Sequence, residues 1–232
     1  MKTTFTALAA SFALLAAACT AQTPTEPTAQ TPATPATQPA GQTPAEPAAT
    51  PEAPAAPKLQ ADLRALWHGH IDKTRAYAMA VKAGNQSEAD AAANDVVTNA
   101  KAISAAVASF YGDAGGAEML RLLSGHWAGV KAMTDAAHKS DAAGVQKGMD
   151  DAIANAGEIA KFLASANPNL PEDTVNGLMV AHVEHHRAQI TEIMAGDTAA
   201  EAETWAAMQA HMDVISDALA AAIAKQFPDK AA

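Results

Sequence analysis

The stretch Leu66-Trp67-His68-Gly69-His70 indicates how the chain folds, because it recurs twice at a fixed distance. It returns as Leu122-Leu123-Ser124-Gly125-His126 and as Leu178-Met179-Val180-Ala181-His182, so that the last histidine repeats every 56 residues. A fixed period of this kind is the signature of a protein built from repeated supersecondary units. The sequence therefore predicts three copies of one unit, each with a histidine at the same place.

Composition and chain breaks predict that each unit is a pair of helices. The chain beyond residue 58 is rich in Ala, Leu, Met, Glu, Lys and Gln, which are good helix formers. Residue types that end or cap helices delimit six predicted helices, at about 59–83, 86–110, 114–138, 142–165, 172–195 and 198–226. Short breaks join antiparallel neighbours. We therefore expect an all-α, up-and-down bundle of six helices arranged as three hairpins.

The second helix of each hairpin carries a polar residue 29 positions after the repeated histidine: Asn99, Asn155 and His211. The midpoint of each pair falls in the predicted turn, and residues equidistant from the turn of an antiparallel hairpin lie at the same height. At 1.5 Å per residue, that height is roughly 20 Å from the turn. All six positions can therefore share one layer if the hairpins pack in register.

Four histidines of this layer lie on the apolar faces of their helices: His70, His126, His182 and His211. A single such residue is most simply a core histidine that is hydrogen-bonded to a carbonyl. Four imidazoles buried together would leave donors and acceptors unsatisfied unless something joins them. Neutral imidazole is a common metal ligand. The sequence thus predicts a metal site with these four ligands, in which Asn99 and Asn155 orient the ligands or line an open coordination position.

Two further histidines, His185 and His186, follow His182 by three and four residues, on nearly the same helical face. Either could replace a member of the quartet or carry a proton in catalysis, while a surface position is the simpler interpretation. His68 and His138 are expected to be structural. His68 points to another side of its helix, and His138 ends its helix, where a positive charge suits the dipole.

Four imidazoles without thiolate or carboxylate suit copper or zinc, with nickel and iron less favoured. The sequence contains no Glu-x-x-His pair of the di-iron type, no His-Glu-x-x-His motif and no Cys-x-x-Cys motif. A haem held by two histidines would leave the threefold pattern unexplained. Methionines on the same faces could ligate reduced copper, but a core position is the simpler interpretation for them. The residues alone do not separate copper from zinc.

The start of the chain has the features of an exported lipoprotein. Residues 1–18 combine a lysine, an apolar run too short to span a bilayer permanently, and small residues before Cys19, the only cysteine. We expect residues 1–18 to be a signal peptide and Cys19 to be acylated, which would anchor the protein to a membrane of the cell envelope, outside the cytoplasm. Ordinary cleavage after Ala18 is the alternative.

Residues 19–58 are rich in Pro, Thr and Ala and predict a disordered tether, because they cannot bury enough apolar surface to offset ordering entropy. Residues 59–232 then form the helical metal-binding domain. The chain holds 25 acidic and 15 basic residues, a net charge of −10, which argues against nucleic acid as a partner.

Several motifs resemble those of a family of exported bacterial helical-bundle proteins. They are Leu66-Trp67 with His70, Thr74-Arg75, Phe110-Tyr111-Gly112, the segment 162–169 and Phe227-Pro228-Asp229-Lys230. With the lipobox-like Ala16-Ala17-Ala18-Cys19 and the Pro-rich tether, the chain is similar to metal-binding lipoproteins of the cell envelope that include a copper-only superoxide dismutase. The four-histidine assignment rests on the repeat and not on this resemblance.

The resemblance implies copper as cofactor, superoxide as a small anionic substrate, and a larger protein complex of the cell envelope as a partner. His185 or His186 would then be catalytic as a proton donor. An acidic protein would slow an anionic substrate unless nearby basic residues form a local positive entrance. The candidates for that entrance are Lys73, Arg75, Arg121, Lys131 and Arg187. The alternative function is a non-catalytic copper- or zinc-binding protein or carrier of the envelope. A purely structural spacer would leave the histidine repeat unexplained.

Overall fold

The computed structural model describes residues 56–231. These residues form helices joined by short connections, and no strand occurs among them: α1 (Pro57–Ala83), α2 (Gln86–His138), α3 (Ala142–Ala166), α4 (Glu172–Ala195), α5 (Thr198–Gln226) and α6 (Pro228–Ala231). The prediction of an all-α bundle is confirmed. The predicted signal peptide, Cys19 and nearly all of the predicted tether lie outside the described residues.

The helix α2 consists of two segments that meet at Gly112, where the sequence predicted a break. Gly112 has φ 78° and ψ 173°, a conformation that glycine adopts without steric cost. The Ser104 hydroxyl donates to the carbonyl oxygen of Gly116 at 2.7 Å. In a continuous helix these residues would be roughly 18 Å apart. The chain therefore reverses direction at Gly112, and residues 86–111 and 113–138 serve as the second and third predicted helices.

The three turns between paired helices share one design. Each contains a residue with positive φ: Gly84, Ser140 and Gly196. The next residue caps the following helix, because its side-chain oxygen accepts a hydrogen bond from the backbone N–H three residues on: Asn85, Asp141 and Asp197. Such a bond satisfies one of the N–H groups that the start of a helix leaves unpaired. Both features recur every 56 residues, like the histidines.

The helix α4 is the central element, since it packs against α1, α2, α3 and α5. α5 also packs against α1, where Arg64 meets Asp217 and Arg75 meets Glu201, each at 2.6 Å. None of the helices between residues 56 and 231 combines the length and the hydropathy of a membrane-crossing segment.

The repeated histidines are set into the core by fully buried apolar neighbours. Ile71 follows His70, and Val183 follows His182, and both apolar side chains have no exposed surface. α2 and α3 approach each other very closely at Gly148, where a Cβ atom would lie 2.7 Å from the backbone nitrogen of Met133. α2 and α3 therefore pack backbone against backbone about two helical turns from His126.

Candidate metal centre

Four histidines converge in the interior of the bundle. His70 comes from α1, His126 from the second segment of α2, and His182 and His186 from successive turns of α4. Their exposed fractions are 2%, 4%, 3% and 1%. One ring nitrogen from each can be chosen so that all four nitrogens lie within 4.8 Å of one another. Four buried histidines thus lie close enough together to hold a metal ion.

The arrangement of the four rings is close to tetrahedral. The six distances between ring centres lie between 4.4 and 6.0 Å. Four points with similar separations are the corners of a tetrahedron, whose centre here is roughly 3 Å from each ring centre. An imidazole whose nitrogen binds an ion at about 2 Å also has its ring centre roughly 3 Å from that ion. The rings therefore surround a space of the size that one tetrahedral ion needs.

Hydrogen bonds within the protein do not satisfy this group. The Nε2 atoms of His182 and His186 are 3.0 Å apart and share one hydrogen bond. Both ring nitrogens of His70, both of His126 and Nδ1 of His182 are buried without a partner. Each unsatisfied buried polar atom costs about 1–3 kcal/mol. A metal ion would supply a partner to one nitrogen of each ring.

Burial keeps these imidazoles in the form that binds metal. It lowers the pKa of His70 to about 3, with smaller contributions from His126 and Lys73, and it lowers the pKa of His126 to about 4. The pKa values of His182 and His186 are lowered well below the usual range, first by burial and then by the neighbouring imidazoles. All four are neutral at pH 7, so their ring nitrogens offer lone pairs.

A repeated hydrogen bond fixes the backbone beside three of these histidines. The Asn99 side-chain amide donates to the Leu66 carbonyl at 3.0 Å, and the Asn155 amide donates to the Leu122 carbonyl at 3.1 Å. In the third hairpin, Nε2 of His211 donates to the carbonyl of residue 178 at 2.9 Å. Each acceptor lies four residues before a repeated histidine. These bonds join the two helices of each hairpin one turn from a repeated histidine, and we call them the carbonyl clamps.

The first two carbonyl clamps depend on a glycine. A Cβ atom at Gly69 would lie 3.2 Å from the Asn99 amide nitrogen, and one at Gly125 would lie 2.8 Å from the Asn155 amide nitrogen. In the third hairpin the equivalent residue is Ala181, and the clamping residue is a histidine instead of asparagine. The first two hairpins therefore combine a glycine with an asparagine clamp, and the third hairpin replaces both residues.

The structure differs from the prediction at the fourth ligand. His211 lies outside the group of four, because its Nε2 is committed to a backbone carbonyl and its ring centre is 6.4 Å from that of His182. His186 takes the fourth place, since it lies one helical turn after His182 on the same inward face. Position relative to the turn gave an expectation for the height of His211 but could not predict the direction of its side chain.

The remaining histidines lie elsewhere. His185 is half-buried and faces His211, with ring centres 5.2 Å apart, so it is not part of the group of four. His68 bonds to Asp213 at 2.9 Å, and His138 is exposed at the end of α2. The positions of His68 and His138 suit the structural roles expected of them.

A small cavity adjoins the four-histidine group. Its volume is about 10 Å³, near the lower limit for one water molecule. Its walls include Met179, Met212 and Trp67, and the indole Nε1 of Trp67 is buried without a partner. Sequence reasoning placed these methionines in the core, and the structure places them there beside the histidines.

Three of the five basic residues suggested as a positive entrance are neutralised. Arg75 pairs with Glu201, Arg121 with two glutamates, and Lys131 with Asp135. Between residues 56 and 231, Lys73 and Arg187 have no carboxylate within 4 Å. Only these two remain as unpaired positive charges from that set.

Comparison of the chain with protein-family models, with curated proteins and with solved structures finds no match.

Proposed function

We propose that this protein binds one copper ion through His70, His126, His182 and His186. The observation that carries the proposal is the near-tetrahedral group of neutral, buried imidazoles, in which five ring nitrogens of His70, His126 and His182 lack partners. If these histidines served only the stability of the fold, apolar residues in their place would avoid the free-energy cost of burying polar atoms without hydrogen bonds. Metal binding accounts for both the convergence and the missing hydrogen bonds.

Two features favour copper, and its reduced form in particular, over zinc. The group contains no carboxylate, so a divalent ion would bring two uncompensated charges into the core. Because desolvation cost grows steeply with charge, a monovalent ion suits this site better. Met179 and Met212 line the adjoining cavity, and thioether side chains are soft ligands of the type that selects Cu(I).

The activity that we propose for the copper-bound protein is dismutation of superoxide. One superoxide ion gives up an electron and becomes dioxygen, and a second takes up that electron with two protons and becomes hydrogen peroxide. Histidine-bound copper supplies the one-electron chemistry that this reaction needs, whereas zinc does not. The chain would attract the anion through Lys73 and Arg187 and supply protons through His185, since His186 belongs to the ligands. This part of the proposal also draws on the resemblance of the sequence motifs.

A non-catalytic copper carrier is the second candidate, and the burial of the site favours it. All four candidate ligands are at most 4% exposed, which slows exchange with small molecules. The measurement that separates the two functions is superoxide consumption per bound copper ion. Dismutation predicts turnover well above that of free copper for the copper form and none for the zinc form. Tight binding without such turnover would favour the carrier.

We also propose that the protein is held in the cell envelope through acylated Cys19. The apolar run and the single cysteine at its end support this location. Cys19→Ser should release the protein from the membrane fraction without changing its copper content. Mass spectrometry that finds no acyl group on wild-type protein would contradict the anchor.

A further inference from the structure

Two histidines outside the four-histidine group lead from the surface towards it. His185 and His211 are both half-buried, and their ring centres are 5.2 Å apart. The His211 ring lies nearly parallel to that of His182, at 6.4 Å and an angle of 16°. His182 is in turn a member of the buried group. The three rings form a continuous path from a partly exposed position to the interior.

The carbonyl clamp of His211 determines which of its nitrogens can bind metal. A carbonyl oxygen only accepts hydrogen bonds, so Nε2 of His211 must carry the proton. In the neutral ring, Nδ1 then holds a lone pair, and no hydrogen bond within residues 56–231 engages it. Two imidazoles that ligate one ion at tetrahedral angles have ring centres roughly 5 Å apart. The separation of His185 and His211 fits this value.

The path exists in one hairpin only. At the positions equivalent to His211, the other hairpins carry Asn99 and Asn155, which make the same carbonyl clamp without a ring nitrogen. At the positions equivalent to His185 they carry Lys73 and Gly129. The clamp therefore does not require histidine. In the third hairpin, His185 and His211 together add a pair of metal-binding nitrogens near the surface.

We propose that His185 and His211 form an entry site that captures Cu(I) and passes it through His182 to the buried group. The inference rests on the proposed function. Ligands at most 4% exposed cannot strip an ion of its solvent or carrier in one step, whereas a partly exposed pair can exchange ligands one at a time. Two ligands hold an ion less tightly than four do, so transfer inwards is favourable.

The test follows the rate at which the copper-free full-length protein takes Cu(I) from a coloured chelator. Quenching of tryptophan fluorescence reports arrival in the interior, because Trp67 lies 6.0 Å from His70. His185→Ala should slow loading at least about tenfold, equivalent to about 1.4 kcal/mol on the barrier. The final copper content and the equilibrium affinity should stay at wild-type values.

A second variant removes the other imidazole while keeping the clamp. The double substitution Ala181→Gly with His211→Asn gives the third hairpin the glycine and asparagine of the first two, and it should slow loading to the same extent. Ala181→Gly alone and His138→Ala are the controls, and both should load at the wild-type rate.

The outcomes are distinct. Wild-type loading rates in both the His185 variant and the double variant would overturn the entry site while leaving the proposed function intact. Loss of equilibrium copper content in either variant would also overturn it, because these residues would then be permanent ligands. Wild-type protein that takes up no copper at all would contradict the proposed function itself, and the entry site with it.

Discussion

The Nε2 atoms of His182 and His186 lie 3.0 Å apart in the core, one helical turn from each other on α4. At this distance one nitrogen donates a proton and the other accepts it. The pair presents two imidazoles on one face of a single helix, towards which α1 and α2 each bring one more histidine. This relationship makes His186 the fourth member of the buried group.

His186→Ala should therefore remove most copper binding, whereas His211→Ala should leave the equilibrium copper content near that of wild type. Loss of a group that orients a ligand lowers metal affinity about 10–100-fold. Loss of a ligand itself should lower the affinity further. Competition with a chelator of known affinity measures the difference. Full affinity in His186→Ala together with weak binding in His211→Ala would restore the ligand set expected from the sequence.

The copper-free protein should lose stability as the pH falls below neutrality. Burial lowers the pKa of His70 to about 3 and that of His126 to about 4, while an unfolded histidine titrates near 6.5. The unfolded chain thus binds more protons than the folded one between these values, so stability is full above pH 6.5 and falls as the pH drops towards the folded pKa. Between pH 7.5 and 5.5 each of these histidines should account for about 1 kcal/mol.

Urea unfolding at several pH values tests this expectation. His126→Leu should reduce the slope of stability against pH by the contribution of one histidine, and His138→Ala, which changes an exposed residue, should not reduce it. A copper-free protein whose stability is the same at pH 7.5 and 5.5 would mean that the histidines are not buried as neutral rings.

Gly125→Ala should destabilise the protein relative to Gly177→Ala. Both glycines are exposed in helices, so both variants share the gain in helix propensity of about 1 kcal/mol. At Gly125 the new Cβ would lie 2.8 Å from the Asn155 amide nitrogen and disturb its carbonyl clamp, while at Gly177 nothing lies within 4 Å. Leaving the clamp unmade costs about 1–3 kcal/mol. Equal midpoints of urea unfolding for the two variants would show that the clamp is dispensable.

Ser140→Gly should stabilise the protein by up to about 1 kcal/mol. Ser140 has φ 57°, in the left-handed region where a Cβ atom is crowded, and the equivalent turns have Gly84 and Gly196 there. Gly84→Ser is the reverse control and should destabilise the protein by a similar amount. Thermal unfolding measures both, and a destabilised Ser140→Gly would contradict the assignment of strain to this turn.

The all-helical fold could be predicted because the evidence for it is local. Glycine, proline and capping residues marked the helix ends, and the structure places α1 only two residues earlier than predicted, at Pro57. The apolar faces identified His70, His126 and His182 as interior residues, and all three are buried. Periodicity and breaks are properties of the chain itself, so no knowledge of packing was needed.

The fourth member of the histidine group could not be predicted in the same way. His186 has no histidine at its equivalent positions, which are Thr74 and Val130, so the repeat does not mark it. Its spacing of four residues from His182 was the available signal, but a surface position explained that spacing equally well. The choice between His186 and His211 depends on the direction of the His211 ring, which its hydrogen bond to a backbone carbonyl determines.

The most direct test of the account is a crystal structure of the copper-loaded protein with anomalous scattering recorded at the copper absorption edge. We predict one strong peak per chain, about 2 Å from one ring nitrogen of each of four residues. Those residues are His70, His126, His182 and His186. A peak that contacts His211 in place of His186, or no peak among these rings in crystals that contain one copper per chain, would contradict it.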